Sequence, residues 1–200
     1  MEALAKRINA LPMSEVELNL WYFFRQRKLR SIQIKRAPSD YYEWTLEKRR
    51  DFLGAPSTHY LCKTIILENT AWNELYQDEP AYFKYVAVVI QYESKLSSEK
   101  VMKFAKEWQN NSIKHKKVAK KHFHFRLADE DIAHKLTGYG YNAVTPFLMK
   151  TELPLLLSKE ILQLSPEYFW LGGGEVDLKL GISIDEFLEN TNAMVADITS

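Results

Sequence analysis

A ten-residue stretch rich in glycine, residues 137–146, constrains the fold more than any other part of the chain. It reads Thr-Gly-Tyr-Gly-Tyr-Asn-Ala-Val-Thr-Pro and lies between a predicted helix and a run of apolar residues. Glycine and asparagine reach positive φ more easily than other residues, so this backbone can curl and direct its N–H groups toward a ligand. The stretch predicts either a substrate-binding loop or a plain connection between a helix and a strand.

The composition is that of a soluble globular protein with a sizeable core. The 200 residues are 46% hydrophobic and 26% charged, and the net charge of +1 excludes a strong attraction of the whole molecule to nucleic acid. The single cysteine, Cys62, excludes a disulfide within the chain and a metal site built on several cysteines. No segment approaches the roughly 18 apolar residues that a membrane span needs. We therefore expect a cytoplasmic protein without a membrane partner.

Periodicity and capping signals predict helices and strands in a mixed order. Capping-box spacings at Ser14 and Ser183 open a first helix that runs to about Leu29 and a last helix of about ten residues. Further helices are predicted over 40–53, closed by Gly54, and over 97–108 and 129–136. Strands are predicted over 32–35, 61–67, 82–90, 122–125, 153–157, 168–171 and 176–180. Because strict βαβ alternation is absent, we predict an α/β or α+β fold with a mixed sheet.

Lys63 lies within the apolar strand predicted over 61–67. Both faces of this strand are fairly apolar, which predicts a central position, and an unpaired ammonium group is costly to bury. Lys63 therefore either extends its amine to water near the strand end or places it at the mouth of a pocket, where it meets an anionic or carbonyl-bearing ligand. Alternation along the strand puts Cys62 on the opposite face, where its thiol packs in the core.

The strongest local charge imbalance runs from Lys100 to Arg126. This basic segment is either a solvated face or a contact surface for a polyanion such as RNA. Within it, His122 and His124 alternate along a predicted strand, but no carboxylate or third histidine stands at a supporting spacing. We therefore expect a structural role for both and no metal site. The lysines in the centre of the segment are Lys114, Lys116, Lys117, Lys120 and Lys121.

Three motifs follow one another along the chain: Cys-Lys-Thr-Ile-Ile from Cys62, the loop from Thr137 to Pro146, and three glycines at 172–174 ahead of a final alternating strand. In this order they resemble the YbaK family, the prolyl-tRNA-synthetase-associated editing domains. Members of that family carry a Lys-Thr strand, a Thr-Gly-Tyr loop that ends in Gly-Gly-x-x-Pro, and a later glycine pair. The resemblance covers about residues 32–188. It implies a curved mixed sheet that approaches a barrel and is surrounded by helices, over 31–200, with an N-terminal helical extension over 1–30.

The resemblance also implies a function, the hydrolysis in trans of the ester that joins a wrong amino acid to the 3′ end of a tRNA, most often the tRNA for proline. By position, Lys63 is the catalytic residue, and neither a cofactor nor a metal is implied. The implied partners are aminoacyl-tRNA, which the basic segment with Lys114 to Lys121 would contact, and an aminoacyl-tRNA synthetase. The implied substrate-binding residues are Thr137, Gly138, Asn142, Ala143, Val144, Thr145, Pro146, Gly172, Gly173 and Gly174.

The chain departs from the family pattern inside the loop, where Asn142 and Ala143 stand in place of two glycines. Asparagine tolerates a left-handed φ, so we expect the turn to persist, and the added side chains either narrow the pocket or add a polar contact. Because discrimination by size gains only about 1–3 kcal/mol per methylene, the change can shift the preference among alanine, cysteine and serine. The alternatives to a deacylase are a non-catalytic module of the same fold that binds tRNA or a synthetase, and an esterase that acts on free amino-acid esters.

Overall fold

The computed structural model describes residues 13–79, 81–111 and 117–200. In these ranges the chain forms five α-helices and eight β-strands. The helices are α1 (Glu15–Gln26), α2 (Leu46–Leu53), α3 (Ser98–Asn111), α4 (Glu130–Thr137) and α5 (Ile184–Thr191). The strands are β1 (Gln33–Arg36), β2 (Cys62–Asn69), β3 (Tyr85–Gln91), β4 (Phe125–Leu127), β5 (Leu155–Ser158), β6 (Tyr168–Gly172), β7 (Leu178–Ser183) and β8 (Met194–Ala196).

The strands form two sheets. The larger has the order β4-β2-β3-β5-β8, in which β2 is antiparallel to β3 and β4 while β5 is parallel to β3 and β8. The smaller has the order β1-β7-β6 and is antiparallel. A bridge between Leu61 and Trp170 links the start of β2 to β6. The predicted α+β class with a mixed sheet is confirmed, and within the described ranges the two sheets do not close into a barrel.

Alternation along the central strands separates two hydrophobic cores, one on each face of the larger sheet. On β3, Val89 faces the first core and Val88 faces the second. Helix α3 covers the second core with Val101. Helix α1 inserts Phe24 into the first core, where its ring meets that of Phe147 edge-on at 5.1 Å between centroids. Because Phe147 directly follows the glycine-rich loop, this contact anchors the loop's end in the core.

The helix ends predicted from capping signals are confirmed. The Ser14 hydroxyl accepts a hydrogen bond from the Glu17 N–H at 3.1 Å, and the Ser183 hydroxyl accepts one from the Glu186 N–H at 3.4 Å. Gly54 takes a left-handed conformation with φ of 72° and closes α2. These ends depend on residues three or four positions apart, so local sequence is sufficient to place them.

The single helix predicted over 40–53 is wrong, because a 3₁₀ turn over Tyr41–Glu43 is separated from α2. Thr45 has an extended backbone, with φ of −64° and ψ of 161°, and its hydroxyl accepts a hydrogen bond from the Lys48 N–H at 3.3 Å. A new helix therefore starts after Thr45. Helix α1 also ends earlier than predicted, at Gln26, since Lys28 takes a positive φ of 59°.

The strand predicted over 122–125 is largely wrong. Lys120–His122 form a 3₁₀ turn, and β4 begins only at Phe125. The side chain of Asn69 accounts for the difference: its amide nitrogen donates to the His122 carbonyl at 2.9 Å, and its amide oxygen accepts from the His124 N–H at 2.8 Å. Because these backbone groups are bonded to a side chain, they do not join a strand ladder.

Candidate functional site

A cavity of about 470 Å³ opens between β2, the first turns of α4 and the glycine-rich loop. Strand β2 contributes Lys63 and Thr64, and β6 contributes its last residue, Gly172. The loop contributes Asn142 and Val144. The cavity therefore receives residues from all three motifs that the sequence places far apart.

Lys63 is partly buried at this cavity. Its ammonium nitrogen lies 5.4 Å from the centroid of the Tyr92 ring, a cation–π contact that stabilises the ammonium ion. The neighbouring Cys62 is 2% exposed and packs in the first core, as predicted. Burial raises the pKa of the Cys62 thiol, so the thiol stays protonated and is a poor nucleophile. Of the two adjacent side chains, only Lys63 lines the cavity.

Thr64 also lines this cavity, and its hydroxyl is buried and unsatisfied. The residue is 7% exposed, and its Oγ1 has no hydrogen-bond partner in the described part of the chain. Leaving a buried hydroxyl without a partner costs about 1–3 kcal/mol. The oxygen is closed to solvent in this conformation, so a ligand would reach it only after the side chain turns toward the cavity.

The loop and the glycine segment pack backbone against backbone. Asn142 has a left-handed φ of 61°, which an asparagine adopts more readily than most residues. The Gly174 N–H donates to the Ala143 carbonyl at 2.9 Å. A Cβ placed on Gly172 would lie only 2.7 Å from the Val144 carbonyl oxygen. The close approach of these two segments therefore requires glycine at position 172.

The structure brings only some of the expected site residues to the cavity. Lys63, Asn142, Val144 and Gly172 line it. Thr137 and Thr145 are 1% and 0% exposed, so both are enclosed within the fold around the loop. The expected residues that are not among those lining the cavity are Thr137, Gly138, Ala143, Thr145, Pro146, Gly173 and Gly174. Roles for these residues in substrate binding stay predictions.

Tyrosines form much of the remaining lining, and they were not predicted as site residues from sequence. They are Tyr42, Tyr92, Tyr139 and Tyr141. Burial raises the pKa of Tyr42 and of Tyr92, so both hydroxyls stay protonated near neutral pH. The two loop tyrosines stood inside a recognisable motif. Tyr42 carried no such signal, because it lies 100 positions before Asn142, the residue whose carbonyl it binds.

Part of the basic segment lies just before β4. Lys117, Lys120 and Lys121 are exposed there, and β4 ends at the cavity with Leu127. Lys114 and Lys116 lie outside the described residues. Contact of this segment with tRNA stays a prediction.

The described ranges contain neither a metal-binding cluster nor a membrane-spanning helix. They contain no group of three or more histidine, cysteine, aspartate or glutamate side chains able to hold a metal ion. None of the described helices is both long and apolar enough to cross a lipid bilayer.

No family model matches the chain, and no curated protein matches it in sequence. Solved structures do match. A candidate trans-editing enzyme for prolyl-tRNA synthetase gives a TM-score of 0.70 at 16% identity, with 94% of this chain and 99% of that chain covered. A hypothetical protein gives 0.66 at 22% identity, with 90% and 99% covered. A scaffold protein for presenting linear epitopes gives 0.69 at 16% identity, with 94% and 99% covered. Over nearly its whole length, this chain therefore has the fold of the candidate trans-editing enzyme.

Proposed function

We propose that this protein is an aminoacyl-tRNA deacylase that acts in trans on mischarged tRNA. The observation that carries the proposal is the convergence of Lys63, Asn142 and Gly172 on one cavity. Each of the three belongs to a different motif that resembles the YbaK family. The fold shared with a candidate trans-editing enzyme for prolyl-tRNA synthetase supports the same activity.

The contents of the cavity suit hydrolysis of an ester that is already activated. Such a reaction needs a positioned water, or a nucleophile of the substrate itself, and stabilisation of the negative charge that develops on the carbonyl oxygen. Lys63 supplies a positive charge at the cavity. The loop around Asn142 lines the same cavity, so its backbone would lie beside a substrate bound there.

Lys63 acts in this proposal through its charge and not as a covalent nucleophile. A nucleophilic lysine is desolvated in an apolar pocket or stands beside another cation. Lys63 is only partly buried, and its ammonium group faces the Tyr92 ring. It is therefore placed to bind the ribose or phosphate end of the substrate, or to polarise the ester.

The substrates to test first are alanine, cysteine and serine on tRNA for proline. The loop carries Asn142 and Ala143 where the family has two glycines, and Asn142 lines the cavity. A side chain on that wall reduces the space for the aminoacyl group, which favours small amino acids. The exposed Lys117, Lys120 and Lys121 would contact the tRNA phosphates, so binding would weaken as salt rises.

Release of amino acid from mischarged tRNA tests the proposal. We expect the wild-type protein to deacylate at least one of the three substrates and Lys63→Met to lose about 100-fold in kcat/KM, as when one charge-stabilising group is removed from an active site. Lys95→Met removes an exposed lysine away from the cavity lining and serves as the matched control, with unchanged activity expected.

Two results would contradict the proposed deacylase activity. One is the absence of turnover by the wild-type protein, and the other is an equal rate for wild type and Lys63→Met. Salt-sensitive tRNA binding without turnover would favour the non-catalytic module instead. Turnover of free amino-acid esters at the same rate as the tRNA ester would favour the simple esterase.

A further inference from the structure

A second lysine, Lys179 of β7, lies buried behind the cavity wall. It is only 4% exposed, and its ammonium nitrogen donates to the Val176 carbonyl at 2.7 Å and to the Tyr42 hydroxyl at 3.0 Å. The same nitrogen lies 4.7 Å from the centroid of the Tyr41 ring and 4.4 Å from that of the Tyr42 ring. A cation is buried at this depth only where such contacts compensate for the loss of water.

Tyr42 connects this lysine to the cavity wall. Its hydroxyl accepts from Lys179 and donates to the Asn142 carbonyl at 2.7 Å. An ammonium group can only donate and a carbonyl can only accept, so the single hydroxyl proton of Tyr42 is committed to Asn142. The backbone of Tyr42 is held as well, because the guanidinium of the buried Arg49 donates to the Tyr42 carbonyl. The bond to Asn142 therefore comes from a side chain fixed at both ends.

The carbonyl that Tyr42 holds belongs to a residue with a left-handed backbone conformation. Asn142 has a φ of 61° and lacks the conformational freedom of a glycine. Contacts with surrounding residues therefore help to keep its backbone in this conformation. Ala143, which follows, accepts the hydrogen bond from Gly174 that ties the loop to the glycine segment. Movement at Asn142 would thus shift the loop wall and its contact with that segment together.

We propose that Lys179 and Tyr42 are positioning residues that hold the Asn142 wall of the cavity in place and thereby set the largest aminoacyl group that the cavity admits. The effect on the size limit rests on the proposed deacylase function, whereas the effect on the position of the loop does not. Neither residue needs to touch the reacting ester. Lys179 acts only through Tyr42, and Tyr42 acts through the Asn142 carbonyl.

Two isosteric variants test the pair. Tyr42→Phe removes the hydroxyl that binds Lys179 and Asn142, together with its hydrogen-bonding interaction with Tyr92. Lys179→Met keeps the length of the side chain but removes its donor, and it leaves the Tyr42 hydroxyl in place. With tRNA for proline charged with either alanine or proline, we expect each variant to lower the alanine-over-proline ratio of kcat/KM about tenfold. The change should come mainly from faster removal of proline, because a released wall admits the larger group. The double variant should match Tyr42→Phe alone, since both residues act through one bond.

Amide hydrogen exchange provides a readout that does not depend on catalysis. In Tyr42→Phe we expect the Ala143 and Gly174 amides to exchange about tenfold faster, as local opening of the loop becomes easier. The Val88 amide in the central strand should be unchanged. Tyr22→Phe and Lys95→Met alter exposed residues and serve as matched controls.

Each outcome decides a defined part of the inference. If the wild-type protein deacylates the alanyl ester but neither the selectivity nor the loop exchange changes in the two variants, the positioning pair is overturned. If loop exchange rises while selectivity stays constant, the pair holds the loop but does not set the size limit, and the inference fails in that part. If the wild-type protein hydrolyses no ester, the deacylase proposal fails, and loop exchange alone decides whether the pair holds Asn142.

Discussion

Gly172 stands so close to Val144 that a Cβ on the glycine would lie 2.7 Å from the Val144 carbonyl oxygen. This is well inside ordinary van der Waals contact, and the atom it would meet belongs to the backbone. The end of β6 and the glycine-rich loop therefore form one continuous wall of the cavity. Any side chain at position 172 has to displace the loop.

Replacing Gly172 with alanine tests this contact. We expect Gly172→Ala to lower the free energy of unfolding by about 1–3 kcal/mol, as in other overpacked sites, and to impair deacylation by moving the loop. Gly140→Ala is the matched control, because Gly140 also lines the cavity and a Cβ there meets nothing within 4 Å. Urea unfolding and deacylation assays on both variants give the comparison. Equal losses of stability and activity in the two variants would show that the close approach of Gly172 to Val144 does not constrain the loop.

Comparison of Thr64 with Thr145 separates the effect of an unsatisfied hydroxyl on stability from its effect on catalysis. Both hydroxyls are buried without a hydrogen-bond partner in the described ranges, but only Thr64 lines the cavity. Valine has the shape of threonine without the hydroxyl. Thr64→Val and Thr145→Val should therefore each raise the free energy of unfolding by about 1 kcal/mol.

Only Thr64→Val should also affect the reaction, because only Thr64 borders the cavity. We expect its hydroxyl to turn toward a bound substrate, so that the loss of this one hydrogen bond lowers kcat/KM about tenfold. Steady-state deacylation by the two variants is the measurement. A loss of activity in Thr145→Val would support a role in substrate binding for that residue too. An unchanged rate in Thr64→Val would show that its hydroxyl does not meet the substrate.

Asn142→Gly restores the residue that the family pattern has at this position. The backbone φ of 61° suits glycine, and the carbonyl that binds Tyr42 is retained. We expect the free energy of unfolding to change by no more than about 1 kcal/mol, while the wider cavity accepts larger aminoacyl groups at a higher relative rate. Asn192→Gly is the control, because Asn192 has a φ of 52° at the end of α5 and does not line the cavity. Equal selectivity of the two variants would contradict a role for the Asn142 side chain.

The stability of the fold should depend on pH through Lys179. Burial lowers the pKa of Lys179 to about 8; the positive charge of Arg49 adds to this effect, and the carboxylate of Asp177 opposes it. An unfolded lysine has a pKa near 10.4. Between these values the unfolded chain binds more protons than the folded chain, so the free energy of unfolding rises with pH.

Lys179→Met removes this dependence. Between pH 7.5 and 9.5 we expect the free energy of unfolding of the wild type to rise relative to that of the variant by about 2 kcal/mol. The facing hydroxyls of Tyr41 and Tyr42 have pKa values raised by burial, so they titrate above this range. Urea unfolding at several pH values is the measurement. Parallel curves for the two proteins would show that Lys179 is not desolvated in solution.

The local features of this fold could be predicted from sequence because their causes lie within a few residues. The caps at Ser14 and Ser183 and the terminal glycine at Gly54 each depend on hydrogen bonds or a φ angle within one helical turn. The apolar run over 82–90 likewise predicted a strand, which the structure has as β3 over Tyr85–Gln91. The left-handed turn at Asn142 followed from its residue type.

The set of residues around the cavity arises from packing between distant segments of the chain. Tyr42 binds the Asn142 carbonyl across 100 positions of the chain. Asn69 binds the His122 carbonyl across 53 positions, and a turn forms there in place of the predicted strand. Lys179 read from sequence as one charge on an alternating strand, yet the packing of β7 places it in the interior. The motifs, and most of the elements that carry them, follow from local sequence. Their meeting at one cavity, and the buried pair behind its wall, depend on contacts between distant segments that form only when the sheets pack.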